Sequence, residues 1–126
     1  MGRWLVTPVL VLIAPVASAQ SMTVEAFLVK AHNLKSKGVF ALMSSDLPPV
    51  RAEVKAAATD YRRQLRLDRE AGRPPHSCPP PEGSKAASIK PVAFLAELEK
   101  VPLQQRGMPM RAAFFQIMKR RWPCPA

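Results

Sequence analysis

His76, Ser77 and Cys78 stand side by side, and they are the residues whose types could do chemistry together. A Ser77–His76 or Cys78–His76 nucleophile–base pair can be drawn from them. Neighbours in sequence rarely hold attack geometry, however, because consecutive side chains diverge from the backbone. The other histidine, His32, falls beside the apolar face of a helical segment and reads as a boundary residue rather than a base. His76 and Cys78 make only an H-x-C pair, and Met108, Met110 and Met118 recur at helical rather than ligand spacing, so neither set describes a metal site. The acidic residues lie largely on helix faces rich in arginine, where no pair of carboxylates is set apart for acid–base work. Gly-rich phosphate loops, H-E-x-x-H and C-x-x-C are absent from the sequence. On residue types alone, the chain is not an enzyme and carries no cofactor or metal.

Compartment decides what Cys78 does. Arg3 supplies a positive start, residues 4–16 are almost wholly apolar, and Pro15 breaks the run just before Ala17-Ser18-Ala19. Small side chains at positions −3 and −1 suit a signal peptidase, which predicts a signal peptide over residues 1–19, cleaved near Ala19. The apolar run, about 13 residues, is short of the ~20 that a membrane-spanning helix needs. Export to the periplasm follows, leaving residues 20–126 as a single domain. In an oxidising compartment Cys78 and Cys124 read as one disulfide, and the thiol chemistry of Cys78 disappears with it.

Binding is then the better class. The sequence has 19 Lys+Arg against 9 Asp+Glu, a net charge of +10. A cytosolic protein of this charge would suggest nucleic acid. Outside the inner membrane the polyanions are anionic phospholipid, lipopolysaccharide or an acidic protein, so no nucleic-acid partner is expected. The candidate contacts are the helical arginines Arg62, Arg63, Arg66 and Arg69, the linker residues Arg73 and His76, and the terminal Arg120, Arg121 and Trp122. Helical arginines also cover apolar surface with their stems, which is their bland alternative. Trp122 reads as packed under the disulfide. Phe115 lies off the main stripe of its helix, which makes it the candidate for a second surface or a homodimer contact.

The elements that position these residues are helices separated by proline. Thr23 can cap a first helix in which Val24, Phe27, Leu28, Ala31 and Leu34 share one face, and Gly38 stops it. Residues 39–43 form a short apolar run that can continue as a single turn. Ser44-Ser45-Asp46 ahead of Pro48-Pro49 starts a second helix over about residues 48–71, striped with Val50, Val54, Ala57, Ala58, Tyr61 and Leu65. Residues 73–85 hold Pro74, Pro75, Pro79, Pro80 and Pro81, a stiff linker fixed at Cys78. Ser88 can cap a third helix over about residues 90–100, burying Phe94, Leu95, Leu98 and Val101. Pro109 opens a fourth, burying Met110, Ala113, Phe114, Ile117 and Met118, and Pro123 closes it. The fold class is all-α: a small bundle of about four helices with one disulfide.

Residues 58–125 resemble the Rap/Tai type of exported immunity protein. The shared outline is a helix with a tyrosine (Tyr61), a Cys-Pro turn (Cys78-Pro79), a helix with an F-L pair (Phe94-Leu95) and a proline break (Pro102). A last helix of small and apolar residues (111–118) and a terminal aromatic-Pro-Cys (Trp122-Pro123-Cys124) complete it. This chain departs from the pattern in having Gln64 where a glycine is usual, in its extra Pro80 and Pro81, and in lacking an earlier cysteine. The resemblance implies a helical, disulfide-linked periplasmic protein, commonly dimeric, that binds and blocks a peptidoglycan amidase injected by a type VI secretion system. Its function would be occlusion of that toxin's cleft. An envelope-associated basic protein touching anionic lipid or lipopolysaccharide is the alternative.

Overall fold

The computed structural model describes residues 22–126, and the signal-peptide expectation over residues 1–19 lies outside them. Four helices make up the fold: α1 (Val24–Lys37), α2 (Leu47–Glu70), α3 (Pro91–Glu99) and α4 (Met110–Arg121). The all-α class, the helix number and the single disulfide agree with the sequence reading. No helix among the described residues is long and apolar enough to cross a membrane.

Each boundary has a local cause. Thr23 is extended, and its Oγ1 accepts a hydrogen bond from the Ala26 N–H at 3.1 Å, satisfying one of the first-turn donors that a helix leaves unpaired. Glu25 adds a negative charge at that positive end. Gly38 ends α1 with φ of 54°, a conformation that a Cβ would oppose. The chain then tightens into 3-10 turns over Gly38–Met43, none of whose side chains is buried. α2 begins one residue before the predicted start, with proline in its first turn, where a missing N–H costs nothing.

One expected cap fails. The Ser88 Oγ donates backwards to the Lys85 carbonyl at 2.8 Å and closes the short turn Lys85–Ala87, so it does not cap α3. Lys90 precedes α3 without a side-chain cap, and Pro91 opens the helix instead. The competing local bond wins because a serine hydroxyl reaches its own i−3 carbonyl as readily as a following amide.

Packing follows the apolar stripes. α1 lies against α2, α3 and α4, while α4 also packs on α2 and α3. No Cα of α2 lies within 8 Å of a Cα of α3. At the centre Phe27 meets Phe94 edge-on at 6.3 Å, Phe94 meets Phe114 at 5.6 Å, and Tyr61 meets Phe114 at 5.9 Å. Such tilted ring pairs add specificity to the burial they share. The start of α1 is tied to the entry of α4 by two backbone bonds, Val24 N–H to Met108 O at 3.0 Å and Met110 N–H to Met22 O at 2.7 Å. The disulfide joins Cys78 to Cys124, whose Cα atoms are 4.9 Å apart. Beside it the Cys78 N–H donates to the Trp122 carbonyl at 2.8 Å.

Candidate functional site

The His76-Ser77-Cys78 triplet folds into a fixed turn. Ser77 is almost fully enclosed, and its hydroxyl lies 2.5 Å from the Tyr61 hydroxyl on α2. His76 Nδ1 is 3.3 Å from the same Ser77 Oγ. The His76 ring then meets Phe115 edge-on at 5.5 Å, and Phe115 meets Tyr61 at 5.6 Å. Serine and histidine therefore do come within hydrogen-bond reach, contrary to the expectation for neighbours. Yet the serine oxygen is shut behind the tyrosine and has no open side for a carbonyl substrate. Burial pushes the His76 pKa below its ordinary value, Lys119 pushes it further, and Asp68 opposes both. The Tyr61 pKa is raised, chiefly by burial. Phe115 is half-buried in this cluster, so only part of its ring reaches solvent.

Asp68 anchors the other end of the same turn. Burial would raise its pKa, but Gln64 Nε2 at 2.9 Å, Arg73 Nη2 at 3.2 Å and the His76 backbone together hold it below the ordinary carboxylate value. Arg73 thus buttresses its own linker.

The remaining arginines do not form one patch. Arg63 bonds Asp60 at 2.9 Å, Arg66 stands 3.9 Å from Glu70, and Arg120 stands 3.8 Å from Glu97. The Arg121 guanidinium lies 5.3 Å above the Trp122 ring. Arg69 is exposed in the last turn of α2, with no ion pair to any described residue. Arg111, which the sequence reading passed over, reaches across from α4 to Asp60 at 2.7 Å and clamps α2 to it. Its signal was an arginine inside an otherwise apolar helix start.

What the sequence did not disclose is a cleft. Because α2 and α3 pack on a shared floor without meeting, about 940 Å³ stays open between them. Buried Phe27, Tyr61, Phe94 and Phe114 form the floor, while half-buried Val50, Val54 and Ala58 wall one side and Ile89 and Leu95 the other. Trp122, half-buried, also lines the cleft. Lys35, Arg51, Lys55 and Arg62 stand along the α1–α2 lip, and none of them pairs with a carboxylate among the described residues. Arg62 also leans over the Tyr61 ring at 5.9 Å. On the opposite lip Glu99 is engaged by His32 at 2.8 Å. The arrangement can hold an apolar group and offer it cations along one side. No family model, curated protein or solved structure matches the chain.

Proposed function

We propose that the protein is a periplasmic immunity protein that binds a type VI secreted peptidoglycan amidase and occludes its cleft. The observation that supports this is the meeting of three parts of the resemblance in one place. The Cys-Pro turn, the terminal Trp-Pro-Cys and the helical tyrosine are joined through the Cys78–Cys124 bond and the Tyr61–Ser77 contact. A surface fixed in that way loses little side-chain and loop entropy when it fills a partner's cleft. A net charge of +10 would speed encounter with an acidic rim. The test is protection: cells exporting a type VI amidase should survive when this chain is co-exported, and the purified oxidised chain should stop that amidase from releasing peptide from sacculi. Undiminished lysis across the amidase subfamilies would refute the reading. An association rate flat from low to high salt would refute the steering.

A second reading, envelope attachment through anionic lipid, has one observation behind it. Val39, Phe40, Leu42 and Met43 are 82 %, 68 %, 74 % and 86 % exposed, beside Lys35 and Lys37 at the end of α1. Exposed apolar side chains next to cations suit a headgroup–acyl boundary. Flotation with vesicles containing phosphatidylglycerol separates the readings, since an immunity protein stays in solution.

A further inference from the structure

We infer that the cleft between α2 and α3 is a docking groove for an amphipathic helix with an acidic flank, carried by a partner protein. This inference stands apart from the amidase reading, because it rests on the shape and charge of the cleft and names no toxin.

The decisive feature is how the cations are laid out. Arg51, Lys55 and Arg62 all stand on α2. At about 100° and 1.5 Å per residue they fall within about 40° of one another around the helix and span about 16 Å along it. They therefore make a straight row roughly three turns long, and Lys35 of α1 adds a fourth charge to the same lip. The apolar wall made by Val50, Val54 and Ala58 runs beside that row on the same helix. An amphipathic helix lying along α2 meets both at once: its apolar stripe enters the cleft, and Glu or Asp side chains at i and i+4 face the row.

Other occupants fit less well. A single phospholipid seated in the cleft carries its charge at one headgroup and would leave most of a row about 16 Å long unmet. A second copy of this chain is itself strongly basic, with 19 Lys+Arg against 9 Asp+Glu, and would bring like charge to the row. Partial exposure also concentrates here. Ala31, Val50, Val54, Ala58, Ile89 and Leu95 are six of the half-buried apolar side chains that line the cleft, so the core is left unfinished mainly on this side.

The experiment titrates the full oxidised chain with an 18-residue peptide that has leucines at i, i+3, i+4 and i+7 and glutamates on one flank. The read-outs are calorimetry and amide shifts. Binding should perturb α2 and α3 amides around Val54 and Leu95 and weaken with salt. Arg51→Glu with Lys55→Glu, both at exposed positions, should weaken it about tenfold while leaving the melting temperature in place. Val54→Glu should abolish binding, with its helical content checked by circular dichroism. Five results would overturn the inference: no binding; equal binding of a peptide with lysines for glutamates; vesicle binding that Val54→Glu abolishes; a chain dimer that Val54→Glu dissociates; or a gain in affinity when Leu10→Asp and Leu12→Asp weaken the chain's own apolar N-terminal run.

Discussion

Replacing both cysteines with alanine, or reducing the bond, should lower the stability of the whole bundle and not merely loosen its tail. The bond closes a loop of 46 residues. In the chain-entropy account such a loop withholds from the unfolded state enough freedom to stabilise the fold by about 4 kcal/mol. Small domains have about 5–15 kcal/mol in total, so the loss is a large fraction. At about 4–8 °C per kcal/mol for a domain of this size, the melting midpoint should fall by roughly 15–30 °C. The native contacts around the bond do not use its sulfurs: the Cys78 N–H donates to the Trp122 carbonyl, and Tyr61 meets Ser77. The effect is therefore assigned to the unfolded chain. Thermal and urea melts of the oxidised, reduced and Cys78→Ala/Cys124→Ala proteins measure it, with hydrogen exchange alongside. Exchange should accelerate in α1, far from the bond in sequence, as much as in α4. A midpoint within about 3 °C of the oxidised protein, or faster exchange confined to the residues after Trp122, would refute the reasoning.

Two further outcomes follow from the turn. Tyr61→Phe leaves the enclosed Ser77 hydroxyl with His76 alone and should cost about 1–3 kcal/mol in urea unfolding, while Tyr61→Phe with Ser77→Ala should recover part of that. His76 has a pKa lowered in the fold, so the unfolded chain binds its proton more readily. Stability is then complete above the ordinary histidine value of about 6.5 and declines as pH falls below it. His76→Phe should flatten that decline between about pH 7 and 5, whereas the lowered carboxylates Asp46, Asp68 and Glu97 act in the same direction only below about pH 5. An unchanged slope in the His76 variant would count against the assignment.

The helices were legible because their causes are local. Thr23, Gly38, Pro48-Pro49, Pro109 and Pro123 punctuate the chain, and the stripes between them repeat at helical spacing. The disulfide was legible from the even cysteine number read together with the expectation of export. Asp46 marked the start of α2 as expected, but its carboxylate takes Lys30 at 3.2 Å rather than capping the helix, which lowers its pKa mainly through that bond. Ser77 was hidden for a different reason. A serine in a proline-rich linker looks solvated, and only the fold brings the Tyr61 hydroxyl to it from 16 residues away. The arginines separate into carboxylate partners, a ring contact and a lip; helix spacing foretells Arg63 on Asp60 and Arg66 on Glu70, but only the fold brings Arg111 to Asp60, Arg73 to Asp68 and Arg120 to Glu97. The cleft could not be read at all. It is a property of two helices that fail to meet, and a stripe looks the same whether a neighbour covers all of it or half.

Why α2 and α3 stay apart has a physical answer in the segment that joins them. A flexible linker would let α3 fold back on α2 and bury Val50, Val54 and Leu95, at roughly 25 cal/mol for each Å² removed from water. Residues 73–85 resist that collapse in two ways. Their prolines fix φ and favour extended backbone, and Cys78 ties the middle of the segment to the tail of α4. The chain must leave α2, reach the far end of α4, and only then enter α3 from that side. Arg111 to Asp60 holds α2 against α4 at 2.7 Å, and the Met22–Met110 and Val24–Met108 bonds hold α1 in the floor. The walls are thus set by covalent and proline stiffness rather than by filling the space between them, and the apolar area left in water is what a partner's side chains would remove.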